Sequence, residues 1–156
     1  MLTTDPQYMR LSTIAVLFAI LASGCTKQPS VEFGLLDDET VTATRDIQYE
    51  IGASYGYRVN FPTDIGKVIL KQEFFLPGPA RWTTNDPGDV GNIRELSEEI
   101  SPDGSKLVSE TEVDTSIETG AIQQYRIIEG DPAGPHTINL WLNGKPLKTI
   151  DFKINK

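Results

Sequence analysis

Ser54 stands in Gly52-Ala53-Ser54-Tyr55-Gly56, the G-x-S-x-G spacing in which a serine on a strand-to-helix elbow becomes a nucleophile when a base and an acid lie beside it. The chain holds one histidine, His136, as the only base for such a triad. Carboxylates are plentiful: Glu95, Glu98, Glu99, Glu110 and Glu112 could supply a general acid and base, yet no apolar run beside them would raise a pKa. Asp37-Asp38-Glu39 and Asp86-Pro87-Gly88-Asp89 could offer oxygens to calcium, but neither follows the spaced ligand pattern of a calcium loop. No catalytic residue, metal ligand or cofactor is therefore assigned. The serine leads into a strand-like run instead of a helix, so the match is expected to be accidental. His136, just after Gly134-Pro135, is expected to be an exposed turn residue.

The remaining reactive group is Cys25, the only cysteine. An apolar or small-residue run from Leu11 to Ala22 follows Arg10 and leads through Ser23 and Gly24 to Cys25, the layout of an export signal. At about a dozen residues it is short of the roughly 20 needed to span a membrane. These residues resemble the lipobox of bacterial lipoproteins. The resemblance implies cleavage after residue 24, lipid on Cys25 and a permanent tether, since two or three acyl chains anchor far better than one. Thr26, in the position where inner-membrane retention usually has aspartate, implies the outer membrane, facing the periplasm, in a Gram-negative host. Met9-Arg10-Leu11 would open a compact signal by itself, which leaves Met1 and Met9 as alternative starts.

Residues 25–30 read as the lipidated N terminus and a polar linker, and residues 31–156 as one domain of ordinary size. With Cys25 committed to lipid, no thiol remains for a disulfide, so the domain must hold together by burial. The formal net charge of −8 opposes binding to nucleic acid.

The elements that would position these groups are strands. Tyr55, Tyr57, Val59 and Phe61 alternate on one face, and Val68, Leu70 and Phe74 on another, where Ile69 and Phe75 suggest burial on both sides. Ala121 to Ile128 gives a further strand of unfixed facing. Asn143-Gly144 marks a type I′ turn between His136–Leu142 and Lys145–Ile154, with Phe152 expected opposite Ile138 and Leu140. Asn92 to Ile100 could form a short helix; the Ser101-Pro102-Asp103-Gly104 turn favours an acidic hairpin with Leu107 to Val113. The fold class is all-β: an antiparallel, immunoglobulin-like β-sandwich with a C-terminal β-hairpin, without the cysteine and tryptophan markers of antibody domains.

Val31-Glu32-Phe33-Gly34, the Gly52 to Phe61 strand and Gly130-Asp131-Pro132-Ala133-Gly134 are similar to a small bacterial domain of unknown function. That resemblance implies no activity and no active-site residues. The expected function is a non-enzymatic binding or structural domain of the cell envelope, with an envelope protein as partner. An inhibitor or immunity-type lipoprotein capping a basic toxin or enzyme is the alternative, and a hydrolase the third. Pro77, Gly78 and Pro79 rigidify the loop around Arg81-Trp82, the residue types enriched at interface hot spots. That pair is the candidate partner contact, against a purely structural role in which Trp82 covers the open end of the sandwich.

Overall fold

Alternation places Tyr55, Tyr57, Val59 and Phe61 in the core of the computed structural model, which describes residues 28–82 and 91–156. Cys25 and Asp86 to Asp89 lie outside the described residues. Ten strands and no helix are found among those described: β1 (Ser30–Asp37), β2 (Thr40–Ala43), β3 (Asp46–Gln48), β4 (Ser54–Asn60), β5 (Lys67–Phe75), β6 (Ile93–Ile100), β7 (Lys106–Asp114), β8 (Gly120–Arg126), β9 (Gly134–Leu142) and β10 (Lys145–Asn155). They form a four-stranded sheet, β2-β1-β4-β8, packed on a six-stranded one, β3-β10-β9-β5-β7-β6. All pairs are antiparallel except β3 with β10. This departs from the expected all-antiparallel arrangement. The chain switches sheets through Thr44 and Arg45, and it reaches the far edge already travelling in the direction of β10.

The C-terminal hairpin contains a conflict between its turn and its core pattern. Asn143 (φ 49) and Gly144 (φ 75) form the two-residue turn that pairs Leu142 with Lys145. Continued without a break, that register would set Ile138 against Thr149 and mix apolar with polar faces. A bulge between Pro146 and Lys148 inserts one residue, after which Ile150 pairs with Ile138 and Phe152 with His136. Phe152 thus shares a face with Ile138 and Leu140, but its direct partner is His136. Pro146, with no N–H to lose, sits at the bulge near the strand's start. Asn143 also ties the hairpin to β5: its N–H donates to the Ile69 carbonyl and its Oδ1 accepts from the Ile69 N–H, both at 2.8 Å.

The strand β5 is buried on one face only, contrary to the expectation for Ile69 and Phe75. Phe75 is 37% exposed and Ile69 half-buried, because the outer face of the large sheet carries a charge ladder. Glu73 lies between Lys71 (3.4 Å) and Lys106 (3.5 Å), and Lys67 meets Glu112 at 2.9 Å. Lys106 lies 4.8 Å over the Phe75 ring and Lys71 5.5 Å over Trp141. Lysine stems shield these aromatic faces, so no third layer is needed.

The acidic segment forms a hairpin, β6 with β7, as the turn chemistry favoured over a helix. Asp103 accepts from Ser101 Oγ (2.6 Å) and from the N–H (3.1 Å) and Oγ (2.8 Å) of Ser105, and these bonds hold its carboxyl down at about 2. Gly104 has φ 73, and a Cβ there would stand 2.5 Å from the Ala80 carbonyl oxygen, so the turn tip fits closely against the loop after β5.

Candidate functional site

Four strands cannot cover six. Among the described residues no strand lies opposite the inner face of β6, whereas Leu107, Ser109 and Val113 of β7 are buried, and a cleft of about 730 Å³ opens beside β8. Ile122 to Arg126 of β8 form one wall, Ile93, Glu95 and Glu98 of β6 the other, and Ala80 to Trp82 close one end. Phe74, Leu107 and Tyr125 contribute apolar surface.

Two carboxylates share the β6 wall because of a second bulge. Residues three apart on an unbroken strand face opposite ways. The register of β6 against β7 shifts between Glu95 and Ser97, so that Glu95 pairs with Thr111 and Glu98 with Ser109. Thr111 and Ser109 pair in turn with Leu70 and Gln72 of the core face. Both glutamates are thereby turned toward the cleft. Partial burial, reinforced by the charge of Glu95, raises the carboxyl of Glu98. Asp131 lines the same cleft; burial raises its carboxyl, and the Ile128 N–H, donating to Oδ2 at 2.9 Å, partly opposes the shift.

Beside the cleft lies a polar group that the sequence reading passed over. Gln72 occupies the core face of β5 between Leu70 and Phe74 and is 3% exposed. Its Oε1 accepts from the hydroxyls of Tyr57 (2.9 Å) and Tyr125 (2.6 Å), one oxygen serving two phenols. Burial pushes both phenols above their ordinary range. The only sequence signal was a glutamine at an apolar position of a period-two run.

His136 corrects the expectation of an exposed turn residue. It is 2% exposed, on the core face of β9, stacked 5.0 Å from Phe152 and tilted against Phe74 at 6.0 Å. The Gly134 carbonyl, 2.9 Å from Nδ1, can only accept, which fixes the Nδ1–H tautomer. Burial lowers the pKa below its ordinary 6.5, and the Gly134 bond offsets only part of this. The unfolded chain therefore takes up a proton near 6.5 that the folded chain binds only at lower pH. Stability is unaffected above that value and falls as pH drops from 6.5 toward the folded pKa. Urea unfolding at about pH 7.5 and pH 5.5 is expected to show this loss in the wild type and a smaller one in His136→Phe. Equal losses would place the titration elsewhere. Glu98 and Asp131, raised carboxyls, act in the opposite sense and in the lower carboxylate window.

Trp82 is half-buried, edge-on to Phe74 at 5.6 Å, and its Nε1 donates to the Gly104 carbonyl at 2.7 Å. This geometry matches the covering role at the sandwich's open end. Arg81 beside it is exposed in the cleft wall. Trp82→Ala is expected to lower the melting temperature by several degrees, since a half-buried indole and one hydrogen bond contribute about 1–3 kcal/mol. An unchanged melting temperature would leave Trp82 free for a partner.

Ser54 and His136 lie on opposite sides of the small sheet. Tyr55 points into the core, so Ser54 points out, paired with Arg126, while His136 faces inward from the large sheet. The G-x-S-x-G match is a strand entry after Gly52 (φ 91), with no elbow. Asp37-Asp38-Glu39 makes the β1–β2 turn, with Asp38 at φ 50.

Two facing sheets of these strands, with a cleft beside the shorter one, define an immunoglobulin-like β-sandwich. Residues 31–155 match the PM0630 beta sandwich domain, and the chain belongs to that family. Among solved structures it is similar to an immunoglobulin-like protein of Pseudomonas aeruginosa, with a TM-score of 0.55 and 13% identity over 85% of this chain and 100% of the other. A weaker likeness, TM-score 0.36 and 8% identity over 82% of this chain and 30% of the other, is to a Pseudomonas fluorescens alkylpurine DNA glycosylase bound to DNA containing an abasic site analog. Identities this low speak to the fold alone, and the second likeness is too weak to carry an argument. No curated protein matches the chain.

Proposed function

We propose that the chain is a non-enzymatic binding domain of the cell envelope, tethered through lipid on Cys25, which engages a cationic envelope partner in the cleft between β8 and β6. The observation that carries this reading is the pair Glu95 and Glu98, turned by the β6 bulge into a cleft of ligand size. The net charge of −8 adds long-range attraction for a basic partner and repulsion for phosphate backbones. An inhibitor or immunity-type lipoprotein would use the same surface against a basic toxin or enzyme. The carboxylates also give the hydrolase reading its one support, a raised Glu98 beside Glu95. Both are exposed residues, however, and a general acid needs an environment far less wet.

Crosslinking in intact envelopes, with wild type, Cys25→Ala and Glu95→Lys/Glu98→Lys compared, tests the proposal. Wild type should carry lipid mass and fractionate with membranes, and Cys25→Ala should do neither. The charge-reversed chain should stay anchored and folded but lose its crosslinked partner. Membrane retention of Cys25→Ala would defeat the tether, and an unchanged partner in the double variant would defeat the cleft.

A further inference from the structure

Among the described residues, the outer edge of β8 has an unpaired centre between two capped ends. Phe61 donates its N–H to the Thr119 carbonyl (2.8 Å) and Ile127 donates to Ala53 (3.0 Å), so the odd-numbered residues of this segment turn toward β4. By the period of an antiparallel ladder, the even-numbered ones turn the other way. At one end the Gly120 carbonyl accepts from Asn92 Nδ2 (2.9 Å). At the other, the Ile128 N–H donates to Asp131 (2.9 Å) and its carbonyl accepts from Tyr49 Oη (3.1 Å). Between them, the N–H and carbonyl groups of Ile122, Gln124 and Arg126 have no hydrogen-bond partner among the described residues.

Unprotected edges invite pairing, and proteins blunt them with bulges, charges or proline. One edge strand of the larger sheet, β6, has both a bulge and Arg94, Glu95, Glu98 and Glu99. The β8 strand has neither bulge nor proline, and its register with β4 is unbroken. One charge, Arg126, stands at its end.

We infer that β8 is a strand-addition site: an extended peptide segment of the partner pairs with Ile122, Gln124 and Arg126 and becomes the fifth strand of the small sheet. This rests on the cleft reading above and deepens it by stating how the partner binds. Such a strand would lie over the inner face of β6, which no other strand among the described residues covers. Side chains on its inner face would meet Ile93 and then Glu95 and Glu98 along β6. The occupant is therefore a segment alternating in facing, with lysine or arginine among its inward residues. Main-chain pairing supplies affinity, and the glutamates select charge.

The probe is a blocked peptide of alternating lysine and valine, about eight residues long to match an ordinary strand, added to the full-length chain. In the free protein, amide exchange should be fast at Ile122, Gln124 and Arg126 and slow at Ala121, Gln123 and Tyr125. The peptide should slow the fast set about tenfold or more. Peptides N-methylated at every lysine or at every valine keep the charge, but one of the two presents methyl groups to β8 and should not bind. Gln124→Pro removes only an outward N–H and should abolish binding with a nearly unchanged melting temperature. Slow exchange of the even-numbered amides in the free chain would mean the edge is already paired, overturning the inference. Equal binding by all three peptides and by Gln124→Pro, lost only in Glu95→Lys/Glu98→Lys, would overturn strand addition and leave the cationic cleft standing. No binding of the unmethylated peptide would remove both.

Discussion

Phe152→Asp is expected to unfold the domain, while Lys153→Asp, one residue further along the same strand, is tolerated. Phe152 is 5% exposed and packs among four rings, with centroids 4.6 Å from Phe33, 5.0 Å from His136, 5.6 Å from Tyr55 and 6.0 Å from Phe74. Truncating a buried phenylalanine costs about 3–5 kcal/mol. Leaving a carboxylate in its place adds a desolvation penalty of about several kcal/mol more. Together these are comparable to the roughly 5–15 kcal/mol that holds a domain folded. His136 is the basic side chain stacked against the new carboxylate, but burial already disfavours its charged form, so pairing would require desolvating both ions. Lys153 points to solvent, and a charge change there should stay within about 1 kcal/mol. Thermal melts decide the matter: if the two variants melt together, the hairpin register beyond the bulge is wrong.

Gln72→Leu is expected to be the most costly near-isosteric change in the core. It removes the one oxygen that accepts from both Tyr57 and Tyr125. Each hydroxyl left without a partner costs about 1–3 kcal/mol, so the total loss should be about 2–6 kcal/mol, less where Tyr125 recovers water at the cleft. Ionisation offers no escape, because burial raises both phenols. The informative comparison is Gln72→Leu/Tyr57→Phe/Tyr125→Phe. Removing both ends of each bond should restore most of the stability, since apolar groups of the same shape leave nothing unsatisfied. Denaturant unfolding of the single and triple variants gives the result, and a Gln72→Leu penalty below about 0.5 kcal/mol would show that the triad contributes little.

The sequence by itself determined the class and the strands from β4 onward, but not β1 to β3. Period-two alternation from Tyr55 to Phe61 and from Val68 to Phe74, the Asn143-Gly144 turn and the Ser101 to Gly104 turn are local patterns, set by side-chain geometry and backbone angles within a few residues. They suffice for an all-β sandwich with two hairpins. What they could not determine was which face each residue takes once a strand is bulged. The insertion beside Pro146 turns Ile150 and Phe152 inward, and the one at Leu96 brings Glu95 and Glu98 to the same wall. A bulge is chosen by the neighbouring strand's pattern, which lies elsewhere in the chain. The same holds for His136 and Gln72, polar residues whose burial depends on partners such as Phe152 and Tyr125 that only the packing of two sheets brings near. The cleft is less local still: it exists because four strands face six, and strand count per sheet is a property of the assembled chain.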